Sequence, residues 1–125
     1  DDVKRISFCE GDMLAALTAA AFYGKADMIK YLLGLGADPN GYPGDKTGFH
    51  SHATPLHQAV SSGSLESVKL LVEAGADLHA TDKAYGGTPL GWALYMPTEE
   101  GHDDEAKQRW GAIAEYFQEQ IDKTS

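Results

Sequence analysis

The chain has 125 residues, 42% of them apolar, and its 19 acidic residues outnumber its 10 basic ones for a net charge of −9. Such a balance argues against nucleic acid and anionic lipid as partners, because both reward clustered Lys and Arg, and Lys4-Arg5 is the only adjacent basic pair. No uninterrupted apolar stretch is long enough to cross a membrane.

The lone cysteine, Cys9, cannot close an internal disulfide. Together with the lack of a secretory signal, this points to a reducing, cytoplasmic setting. Asp1 is not an initiator methionine, which leaves a removed leader, a tag or a longer parent open. The size suits one elongated core built from stacked helix pairs.

Along the chain, Val3, Ile6, Phe8 and Cys9 ask for an apolar neighbour, so 1–13 reads as an N-terminal helix or the remnant of an earlier unit. Residues 14–35 form a helix pair, with Leu17, Ala20 and Ala21 on one member and Met28, Ile29, Leu32 and Leu33 on the next. A long finger follows from about Pro39 to Ala53, where Gly41, Pro43, Gly44 and Gly48 call for turns. Thr54 then caps a helix that opens on Pro55, whose fixed φ suits the first helical position and whose missing N–H is not needed there. Leu56, Ala59 and Val60 face inward, and Gly63 ends this helix. Ser64 caps the next one, along which Leu65, Val68, Leu71 and Val72 recur at helical spacing until Gly75.

A third unit starts at Thr88 and breaks after Met96-Pro97 into an acidic insertion, Thr98 to Glu105. Its last helix carries an apolar stripe of Trp110, Ile113, Ala114, Phe117 and Ile121. Gln108, Glu115, Gln118, Glu119 and Asp122 occupy the opposite face, as suits a terminal cap that meets water.

These units repeat. Thr88-Pro89-Leu90 with Ala93 follows Thr54-Pro55-Leu56 with Ala59 at a spacing of 34. Leu17, Ala20, Gly24, Met28-Ile29 and Gly36-Ala37-Asp38 stand 39 positions before Leu56, Ala59, Gly63, Ser67-Val68 and Gly75-Ala76-Asp77. The extra residues fall between Asp38 and Thr54, where an insertion disturbs no helix. Thr54-Pro55-Leu56-His57-Gln58-Ala59 matches the T-P-L-H-x-A signature of a unit of about 33 residues, and on these residues the chain resembles the ankyrin-repeat family, bacterial members in particular.

The resemblance covers about residues 14–121. It implies an all-α solenoid of stacked helix–turn–helix units with hairpin-like finger loops. The units would be 14–53 with the long finger, 54–87, and 88–125 as an interrupted C-terminal cap. It also implies a non-catalytic protein-binding role without a cofactor. His57, in this family, is a structural residue bonding across the turn; Thr18 and Gly91 replace it in the flanking units.

The family binds partners through a concave face made of finger tips and outward positions late in each first helix. Carried over by position, the first-helix sites are Phe22, Tyr23, Ser61, Ser62, Tyr95 and Met96. The finger sites include Tyr42, His50, Ser51, Thr81, Ala84 and Tyr85. Interface centres favour Tyr, Phe and Met, which would otherwise be costly on a wet surface. A bland alternative has Tyr42, Phe49 and Tyr85 packing the fingers, with Phe22 or Tyr95 filling gaps between irregular units.

Few residues suggest other chemistry. His50-x-His52, with Asp45 and His57, offers imidazoles to zinc, but the spacing is not that of a closed site and no cysteine pair supports it. Glu99 to Glu105 is acidic without the ligand order of a calcium loop, and Asp103 and Asp104 suit a helix N-terminus. No nucleophile elbow, zincin motif or phosphate-binding loop is present. The expectation is a monomeric protein-interaction module. Its alternatives are a metal- or small-ligand-binding regulatory domain using the histidine finger, and a structural segment of a longer solenoid.

Overall fold

The computed structural model describes residues 10–40, 53–84, 86–98 and 101–124. Six α-helices occupy them: α1 (Glu10–Phe22), α2 (Ala26–Gly34), α3 (Pro55–Ser62), α4 (Leu65–Glu73), α5 (Pro89–Tyr95) and α6 (Asp104–Thr124). A single 3-10 turn, Met96–Thr98, follows α5.

Local chemistry sets the ends of the middle pair. The Thr54 hydroxyl accepts the His57 N–H, Pro55 takes the first helical position, and Gly63 closes α3 at φ 77°. The Ser64 hydroxyl accepts the Ser67 N–H and so starts α4. Thr88 repeats the device at α5 by accepting the Gly91 N–H. For α6 the cap is Asp103, whose carboxylate accepts the Ala106 N–H at 2.8 Å.

The helices form two layers. In the inner one α1 packs on α3 and α3 on α5; in the outer one α2 packs on α4 and α4 on α6. Apolar side chains facing the seam make one continuous core of Leu17, Ala21, Ile29, Leu56, Val60, Val68, Leu71, Ile113 and Phe117. The equivalent Ala20, Ala59 and Ala93 are all buried, and their small side chains let neighbouring inner helices approach. The α6 stripe lies as its spacing predicts: Trp110, Ile113 and Phe117 are buried, with Ala114 packed against them.

Two details differ from the sequence reading. Residues 10–14 are already helical, so the 13/14 division falls inside α1. Met28, grouped with the apolar residues of α2, is half exposed, while Ile29 and Leu32 carry that helix's burial.

Candidate partner-binding face

The C-terminal ends of the inner helices lie side by side. A Cβ built on Gly24, just past α1, would stand 3.3 Å from both Ser62 Oγ and Ser64 Cβ at the α3 turn. The inner helices pack in the order α1, α3, α5, which sets Tyr23 just past the end of the first and Tyr95 at the end of the last.

Of the residues expected on this edge, two are strongly exposed: Tyr23 at 62% and Tyr95 at 59%. Phe22 is half-buried, and its ring meets that of Tyr23 edge-on at 5.1 Å. The Ser62 hydroxyl donates to Ala59 O at 2.6 Å and accepts the Ser64 N–H at 3.2 Å, so it serves the turn; Ser61 is half-buried. Met96 packs against the core rather than standing clear of it. Tyr42, His50, Ser51 and Tyr85 lie outside the described residues, as do Asp45, His52, Phe49 and Cys9.

Leu94, 60% exposed beside Tyr95, was not expected here. Its equivalent by the 34-residue spacing is Val60, which is fully buried between neighbouring helices. Among the described residues no inner helix follows α5, so the same position meets solvent. The repeat pattern by itself therefore misassigns Leu94.

The second finger is held by a lock that the sequence reading missed. The buried Asp82 carboxylate accepts N–H groups from Ala84 at 3.0 Å, Gly87 at 2.8 Å and the Trp92 indole at 3.0 Å. Asp82 and Gly87 also pair through the backbone, N–H to O at 2.9 Å. His57 Nε2 reaches Gly87 O at 2.8 Å, while its Nδ1 lies 3.2 Å from the Thr54 N–H and 2.7 Å from the Thr54 hydroxyl. These contacts suit a neutral imidazole protonated at Nε2. Trp92 covers the ring edge-on at 4.9 Å. A turn-forming Asp four residues before Gly86-Gly87 was the available signal.

Both His57 nitrogens are thus committed to the fold and not offered to a metal. Among the described residues no group of three His, Cys, Asp or Glu could hold one. Asn40 joins the first two units: its side chain donates to Gly75 O at 2.9 Å and accepts the Asp77 N–H at 2.7 Å. The described residues thus give an edge carrying Tyr23 and Tyr95 at either end.

Residues 3–82 match the family model described as ankyrin repeats (3 copies). Similar proteins include the potassium channel KOR1 of Oryza sativa subsp. japonica, 40% identical over 74 residues, which are 59% of this chain and 8% of the channel. Human protein phosphatase 1 regulatory subunit 27 is 50% identical over 52 residues, 42% of this chain and 30% of the subunit. An ankyrin repeat protein of Rickettsia felis is 41% identical over 75 residues, 59% of this chain and 30% of that protein. The chain therefore spans less than a third of the length of each of these relatives.

Proposed function

The chain belongs to the ankyrin-repeat family, and from that premise we propose that it is a non-catalytic module that binds a protein partner along the C-terminal edge of its inner helices and its fingers. The observation that carries this reading is the pair of exposed tyrosines, Tyr23 and Tyr95, at the ends of the first and last inner helices. Tyrosine offers a large, stiff contact area with a polar tip and loses little freedom on binding, which is why interface centres are rich in it. Leu94 extends the apolar part of the edge, and Ser61 supplies a small polar contact between the two ends. The net charge of −9 adds a preference for a basic partner surface. The single cysteine and the acidic composition support a monomer in the cytoplasm as the working form. Among the relatives, one is named as a regulatory subunit, a role that a binding module of this kind serves.

The test is affinity capture by the protein beside its Tyr23→Ala/Tyr95→Ala variant, with mass spectrometry as readout and circular dichroism to verify both folds. A protein held by the original chain and lost from the variant supports the face. Equal retention of every captured protein by both chains would sink it.

A further inference from the structure

We draw no further inference here: the strongest candidate, the exposed apolar stripe of Met28, Tyr31 and Leu35 along α2, is an unpartnered face, and nothing in the structure shows what covers it.

Discussion

His57 touches more of the structure than any role in chemistry would require. One ring nitrogen serves the start of α3 and the other the second finger, so a single residue ties a helix cap to a loop 30 positions away. A signature reading assigns it to structure, but the other half of the arrangement, Asp82 with Trp92, has no short motif to announce it. Gly87 sits at the centre of that arrangement. A Cβ there would stand 3.0 Å from both Asp82 Oδ2 and Trp92 Nε1, tight enough that one of these neighbours must give way. Gly87→Ala should therefore loosen the Asp82 acceptors and cost about 1–3 kcal/mol, as overpacking a tight site does, measurable by urea denaturation. An unchanged midpoint would mean that Asp82 and Trp92 yield to the added methyl without loss.

At the scale of the helix, Thr-Pro pairs marked where α3 and α5 begin, and both helices start there. Ala15-Ala16 stands in the same place in the first unit, and with neither a cap nor a proline to stop it α1 continues back to Glu10. The result is a helix of 13 residues where its counterparts have 8 and 7.

The terminal helix α6 is bound by more than its stripe. The buried Trp110 indole donates to Val60 O at 2.7 Å, near the end of α3, and His102 meets its ring edge-on at 4.6 Å. Trp110→Phe keeps an aromatic ring but removes the donor, and should cost about 1–3 kcal/mol in chemical denaturation. Tyr116 on the same helix gives a pH signature. Its pKa is raised above the usual 10.0 by burial and by Glu73, so the fold favours the neutral phenol. That contribution is fully present below the unfolded-state pKa and is lost as pH rises through the folded one. Thermal stability should therefore fall more steeply above about pH 10 in the original chain than in Tyr116→Phe, with the two curves parallel below it.

For the molecule as a whole, two layers of three helices leave the inner-helix ends outside the core that holds the stack together. Removing the exposed tyrosines should thus separate binding from folding. Tyr23→Ala/Tyr95→Ala is expected to change stability by no more than about 0.5 kcal/mol per site while weakening partner capture, a split that calorimetry beside the capture assay would reveal. A large loss of Tm would assign these side chains to packing instead.

Sequence alone determined the repeat, the caps and the inward positions of the middle unit, because those depend on spacing along one helix and on neighbours three or four residues away. It also placed Tyr23 and Tyr95 at the surface edge by their position in the unit. Tertiary structure decided what repetition cannot express: equivalent residues meet different surroundings at the ends of a stack. Val60 is enclosed while its counterpart Leu94 is open, because burial is set by the helix that stands beside a residue. The same dependence on neighbours brought Asp82, Gly87, Trp92 and His57 together, residues that are separate in sequence and share no periodic signal.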